Sequence, residues 1–293
     1  MPAAPPGEAT LASSSHPYRG ARAALLTQHG KERVVGPVLA DALALELVVV
    51  ADFDTDALGT FTREVPRFGT QLEAARKKAT LACERGGRAL GLGSEGSFGP
   101  GPLGFGVWDL ELLVLVDLER DLEIVGRAFS PGLHHHADVA SLHELRAVAA
   151  RARFPEHGLV LRPDGEDDPR VRKGLRTWPD VEAAFRDALG EARSGRVFVE
   201  NDLRAHQHPR RMATIERATR ELVERVASCC PACERPGFGR VSVVAGLPCG
   251  DCGAPTDVPM AYELGCVKCE HVERRMRHGT SHAKAAQCGL CNP

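Results

Sequence analysis

The chain has 293 residues with 37 Lys and Arg, 39 Asp and Glu, and a formal net charge of −2. That length allows two domains with a small third, and the near-neutral charge leaves no global electrostatic argument for nucleic acid. No apolar run reaches the ~18 residues that a membrane-spanning helix needs.

In chain order, residues 1–17 are rich in Ala, Pro and Ser and read as a disordered tail. Ala21–Thr27 is a short apolar run ending in Gln28-His29-Gly30-Lys31, and a helical stretch follows from about Glu32 to Leu45. Leu47–Val50 reads as a buried strand, Phe53–Thr62 as a loop, and Thr70–Arg85 as a helix with Leu72, Ala75, Ala79 and Ala82 on one stripe. Arg88–Leu92 is a short strand and Gly93–Gly106 a glycine-rich loop. Leu110–Asp117 and Asp121–Phe129 follow as antiparallel neighbours. Beyond them, Ala137–Arg153 is helical, Leu159–Leu161 a strand, Arg162–Pro169 a surface loop and Trp178–Ala192 a helix. Arg196–Glu200 is a strand and Met212–Ala227 an amphipathic helix. The expected fold class is α/β, a mixed sheet with flanking helices. The α/β domain spans 18–227, with a core at 18–133 and an extension at 134–227. A double zinc-ribbon module occupies 228–293.

That module rests on four Cys-x-x-Cys pairs: Cys230/Cys233, Cys249/Cys252, Cys266/Cys269 and Cys288/Cys291, separated by 15, 13 and 18 residues. Two intervening residues let both sulfurs reach one Zn²⁺ at about 2.3 Å, and eight thiolates make two closed Cys₄ sites. Four pairs in series do not suit a thioredoxin-like redox motif, and no apolar signal segment points to a secreted disulfide framework. An iron–sulfur cluster shares the spacing. Sequential pairing is expected over cross-bracing: Cys230, Cys233, Cys249 and Cys252 at one site, Cys266, Cys269, Cys288 and Cys291 at the other. Cys229 could replace its neighbour, and Cys83 reads as apolar filler. Thiols held by zinc suit a reducing, cytoplasmic setting.

Several polar clusters carry chemistry. Thr27, His29, Gly30 and Lys31 stand where a strand end turns into a helix N-terminus, a place that favours an anion such as phosphate. Many such turns are purely structural. Arg76, Lys77 and Lys78 are consecutive cations, ordinarily a solvated face, on a helix whose alanines permit close packing with one cation turned towards the sheet edge. Glu95, between small residues, is placed to hold Mg²⁺ against a triphosphate, and Asp109, Glu111 and Asp117 could add carboxylates. Glu200–Met212 packs two acids, two His and three Arg after a strand. It is either a loop closed by an Asp202–Arg204 ion pair or an anion site fed by Arg204, Arg210 and Arg211. His134-His135-His136 is either solvated or a transition-metal chelate.

The order T-x-H-G-K, T-x-x-E-x-A-x-x-K-A, G-x-E-G, then a long apolar strand and an antiparallel one, resembles the inosine/xanthosine triphosphatase family and its Maf-like relatives over residues 18–133. The resemblance implies that Thr27 and His29 form a phosphate loop, that Arg76 and Lys78 bind phosphate, and that Glu95 binds Mg²⁺ or Mn²⁺. His29 stands where that family has Asn, and Lys31 lies one position before the family's Lys. The N-D-L-R-A-H segment and the C-terminal C-N-P also make the whole chain look like a family of unknown function.

Two functions are therefore expected. The first is a metal-dependent phosphohydrolase or pyrophosphohydrolase of nucleotides, including non-canonical purine triphosphates. In it Glu95, Lys31 and Lys78 are catalytic, and Thr27, His29, Gly30, Arg76 and Arg204 grip phosphate. The second is a non-enzymatic protein whose zinc module binds RNA, DNA or another protein, with Arg274, Arg275, Arg277, His278, Lys268 and Lys284 as a local basic patch.

Overall fold

The computed structural model describes residues 16–62, 64–101 and 104–293. Of the expected tail at residues 1–17, residues 1–15 lie outside them. His16, buried, belongs to the fold rather than to the tail, and next to it Tyr18 is fully buried and donates its hydroxyl to Asp117 at 2.8 Å. The chain divides into two compact units. One contains residues up to 121 and 125–223, the other residues 122–124 and 224–293.

The first unit holds two sheets, save for residues 122–124 at the start of the last strand of the first sheet. In the first, β1 (Arg22–Leu26), β2 (Glu46–Val50), β3 (Leu90–Pro100), β4 (Val107–Asp117) and β5 (Leu122–Pro131) lie in the order β2-β1-β3-β4-β5. β1 is parallel to β2 and β3, while β3 and β4 are antiparallel, so the sheet is mixed as expected. Helices α1 (Glu32–Leu43) and α2 (Gln71–Gly86) make the crossovers. Thr70 and Glu73 cap the start of α2 reciprocally, and Gly87 ends it in the left-handed conformation.

Of the expected glycine-rich loop at Gly93–Gly106, only Gly101, Gly104 and Gly106 lie in the connection from β3 to β4; the glycines from Gly91 to Gly99 are in the strand. β3 runs unbroken to Pro100, and its glycines serve packing. A Cβ on Gly91 would lie 2.1 Å from the Ala79 carbonyl oxygen, and one on Gly93 would lie 2.0 Å from that of Ala75. The alanine face of α2 therefore rests directly on the strand backbone, and Glu95 is held on a rigid central strand.

The second sheet is antiparallel, in the order β6-β9-β7-β8: β6 (His136–Val139), β9 (Val197–Asn201), β7 (Leu159–Pro163) and β8 (Arg172–Leu175). Helices α3 (Leu142–Arg151) and α4 (Trp178–Glu191) cover one face, where Leu145, Val148, Leu161, Val181, Phe185 and Val199 form a core. Two expectations change here. His136–Val139 pairs with β9 instead of opening a helix, because Ser141 caps α3 only at Leu142. Arg162 lies on β7 with 1% exposure rather than in a surface loop. Helix α5 (Pro209–Ala227) starts eight residues after β9.

The second unit contains a three-stranded antiparallel meander, β10 (Gly239–Ala245), β11 (Pro259–Gly265) and β12 (Val272–Met276). No helix among the described residues is long and apolar enough to cross a membrane.

Candidate functional site

The cysteine sites follow from the meander. Successive antiparallel strands start at alternate ends. Gly239 pairs with Gly265 and Gly265 with Val272, so the approach to β10 and the β11–β12 turn share one end. Ala245 pairs with Pro259 and Ala261 with Met276, so the β10–β11 connection and the segment after β12 share the other. The resulting clusters are Cys230, Cys233, Cys266 and Cys269, and Cys249, Cys252, Cys288 and Cys291. The expected sequential pairing is thus wrong: the sites interleave, because strand parity overrides proximity in sequence.

Within each site, sulfur distances between the two pairs are 3.7 Å for Cys230–Cys269, 3.6 Å for Cys233–Cys266, 3.9 Å for Cys249–Cys291 and 3.7 Å for Cys252–Cys288. A tetrahedron with metal–sulfur bonds of about 2.3 Å has edges of about 3.8 Å. A disulfide would need about 2.05 Å. Backbone N–H groups aim at the sulfurs, from Ala232 to Cys230, from Asp251 to Cys249, and from Lys268 and Cys269 to Cys266. Such donors stabilise thiolate and orient it towards a metal. The donor set therefore fits two Cys₄ zinc sites. Cys229 and Cys83 stand outside both clusters.

The first unit carries a cleft of about 400 Å³, including space open to solvent, lined by His29, Lys31, Asp56, Phe61, Lys78, Glu95, Arg204 and Arg211 among others. It collects parts from across the chain. His29 and Lys31 come from the turn after β1, Asp56 and Phe61 from the segment after β2, and Lys78 from α2. Glu95 comes from β3, Arg204 from the turn after β9, and Arg211 from the first turns of α5.

Glu95, 5% exposed, binds a cation through each oxygen: Lys78 Nζ at 2.5 Å and Arg67 Nε at 3.3 Å. Burial alone would raise its pKa, but Lys78, Lys31 and Arg67 together hold the carboxyl below its usual range. Arg211 Nε donates to Glu111 at 2.6 Å, Nη1 donates to the Leu203 carbonyl, and the guanidinium covers the Phe61 ring at 4.1 Å. Arg211 Nη2 is buried and has no hydrogen-bond partner. A Cβ at Gly96 would fall 2.2 Å from it, so only glycine leaves this guanidinium its place.

Lys31 is buried, and its ammonium donates to the carbonyl and hydroxyl of Ser94, at 3.0 and 3.2 Å, rather than to a carboxylate. Burial, with Lys78 and Arg211 nearby, lowers its pKa to about 8. His29 lies 3.7 Å from Asp56 and stacks on His206. Burial and the Lys31 charge take its pKa down to about 3, so it is neutral. Asp109, whose oxygens are buried and unpartnered, is pushed up to about 7 by burial and by Glu111.

Arg204 apart, the other expected residues fall outside the cleft lining. Arg76 is exposed on α2, and Lys78, two positions along, takes the inward place. Thr27 is buried and accepts from the His29 N–H, and Gly30 supplies the positive φ of 69° that turns the chain into α1. Arg204 lines the cleft while its guanidinium is paired with Asp202 at 2.6 Å, so the loop-closing and anion-site readings meet in one residue. Asp117 binds Tyr18 and Arg120 instead of joining Glu95. The three histidines do not form a chelate; His134 contacts Glu200, itself held by Arg162 at 2.5 Å. Arg67 carried no sequence signal at all.

A family model described as a domain of unknown function (DUF6671) matches residues 78–293. The chain belongs to the DUF6671 family. The DUF6671 region begins at Lys78 and includes Glu95, Glu111, Arg204, Arg211 and all eight paired cysteines, whereas His29 and Lys31 precede it. No curated protein and no solved structure matches the chain.

Proposed function

We propose that the cleft seats the phosphate chain of a nucleotide and that the protein is a nucleotide phosphohydrolase or pyrophosphohydrolase. The observation that carries this reading is a pair of buried cationic groups on one cleft with donor capacity to spare. The Lys31 ammonium hydrogen-bonds only to Ser94 and to no carboxylate, and Arg211 Nη2 is buried without a hydrogen-bond partner. Buried cationic donors of this kind cost free energy unless an anion meets them. The resemblance of residues 18–133 to the inosine/xanthosine triphosphatases supports a nucleotide as the carrier of that anion, since His29, Lys78 and Glu95 line this cleft.

In this proposal Lys31, Lys78, Arg204 and Arg211 neutralise charge on the phosphoryl oxygens, and catalysis is positioning with electrostatic stabilisation. Glu95, held ionised by Lys78 and Arg67, is a weak proton acceptor and orients the attacking water. A Mg²⁺ or Mn²⁺ on Glu95 would need oxygens at about 2.0–2.2 Å that are free to coordinate. Both Glu95 oxygens already carry a cation, so the carboxylate is not a preformed divalent site and the assigned steps do not run through one. Two zinc ions in the cysteine clusters are structural in this account.

The test is release of phosphate and pyrophosphate from a nucleotide panel including ITP and XTP, with Mg²⁺, with Mn²⁺ and with neither. The reading requires release from wild type that disappears in Glu95→Gln. A folded, zinc-loaded protein inactive across the panel would end it.

The alternative nucleic-acid adaptor has charge against it. Over residues 224–293 eight Lys and Arg face seven Asp and Glu. Each Zn²⁺ with four thiolates adds a net −2. The loaded module is therefore anionic overall, which disfavours a phosphate backbone. Failure of residues 228–293, in the intact chain, to contribute salt-dependent RNA or DNA binding agrees with this; strong binding would restore the adaptor reading.

A further inference from the structure

Two aromatic features stand at the cleft, Phe61 and the His29–His206 pair. Phe61 already has a face covered by the Arg211 guanidinium at 4.1 Å, and it meets Phe98 edge-on at 6.2 Å. His29, in the cleft lining, stacks on His206 with ring centroids 5.0 Å apart and planes 22° from parallel. His206 is exposed, whereas His29 is half-buried beneath it. It sits on the short turn Ala205–Gln207, two residues after Arg204, which lines the same cleft.

We propose that the His29–His206 stack is a platform for the nucleobase of the bound nucleotide, with His206 making the contact. This rests on the phosphate reading of the cleft and adds to it the class of ligand, a nucleoside polyphosphate rather than an inorganic one. The chemistry is that of base recognition by stacking. A neutral imidazole offers a polarisable face that every base can cover, and the pair is pre-aligned, so little side-chain freedom is lost on binding. Burial and the Lys31 charge take His29 far below its ordinary value, so that ring is neutral, and burial and Arg204 lower His206 as well. A neutral His29 stacks on its partner without charge repulsion. The phosphates would point inward to Lys31 and Arg211 while the base leaves towards the exposed ring.

Titration calorimetry on the full zinc-loaded chain, with tripolyphosphate and with ITP, separates the two ideas. Wild type should bind ITP more tightly than tripolyphosphate. His206→Ala should weaken ITP about 10-fold, the order of one lost base stack, and leave tripolyphosphate within about twofold. His206→Phe should retain ITP affinity. Equal binding of the two ligands by wild type, or an ITP affinity indifferent to His206→Ala, overturns the platform and leaves the phosphate seat standing. Binding of neither ligand overturns the phosphate reading and the platform with it.

Discussion

Lys78 Nζ and Glu95 Oε2 lie 2.5 Å apart, joining α2 to the central strand β3, with both side chains buried on the cleft. Removing one partner of such a pair costs more than removing both, because the survivor is a buried unpaired charge. Lys78→Met alone is therefore expected to destabilise the chain by about 3–5 kcal/mol. Glu95 keeps Arg67, which should place the loss at the lower end of that range. The double variant Lys78→Met/Glu95→Leu should recover most of the loss. Urea denaturation of the three proteins checks the ordering, and a double variant weaker than Lys78→Met would refute it.

Interleaved cysteine sites make a sharp stoichiometric prediction. Cys230→Ser and Cys269→Ser should each lose one zinc ion per chain, and combining them should lose no more, because both belong to one cluster. Cys230→Ser with Cys252→Ser should lose both ions. Metal content of the purified variants decides; sequential sites would give the reverse result. Chelation of wild type should unfold the second unit, as metal binding and folding are coupled in such modules.

The pH dependence of phosphate binding follows from Lys31. Its pKa is lowered to about 8 in the folded protein from 10.5. The unfolded chain thus binds more protons between those values, so this residue's contribution to stability is present above the unfolded pKa and is lost as pH falls through about 8. Anion binding has the opposite sense, because it needs the charged ammonium. Tripolyphosphate affinity should fall as pH rises through about 8 in wild type and be flat there in Lys31→Met. An unchanged slope in the variant would remove Lys31 from the seat.

Gly93→Ala tests the packing of α2 on β3. The added carbon would sit 2.0 Å from the Ala75 carbonyl oxygen and 2.6 Å from the Ala79 amide nitrogen, both backbone atoms that cannot turn aside. Overpacking of this kind costs about 1–3 kcal/mol or more. A urea midpoint equal to wild type would show that the helix has room to move.

The readable parts of this chain were those with local causes. Cys-x-x-Cys spacing, the apolar stripe of the helix from Thr70 to Arg85, and the apolar run into Asp117 each act within a few residues. What escaped depended on distant partners. Gly91 and Gly93 look like a loop until Ala75 and Ala79 are placed beneath them. The metal clusters depend on how many strands separate the pairs. The family resemblance offers both Arg76 and Lys78 as phosphate ligands, and only the helix phase against the sheet chooses between them. Arg211 was one of three arginines in a polar segment, and its importance comes from Glu111, a hundred residues earlier, and from the missing side chain at Gly96.

The most direct test is an experimental structure of the zinc-loaded protein with tripolyphosphate. The account predicts phosphate in the cleft, with an oxygen within about 3 Å of Arg211 Nη2 and another within reach of Lys31 Nζ, the usual range of a charge-assisted hydrogen bond. At saturating ligand, a cleft without phosphate, or phosphate bound elsewhere with Arg211 Nη2 left unpartnered, would contradict it.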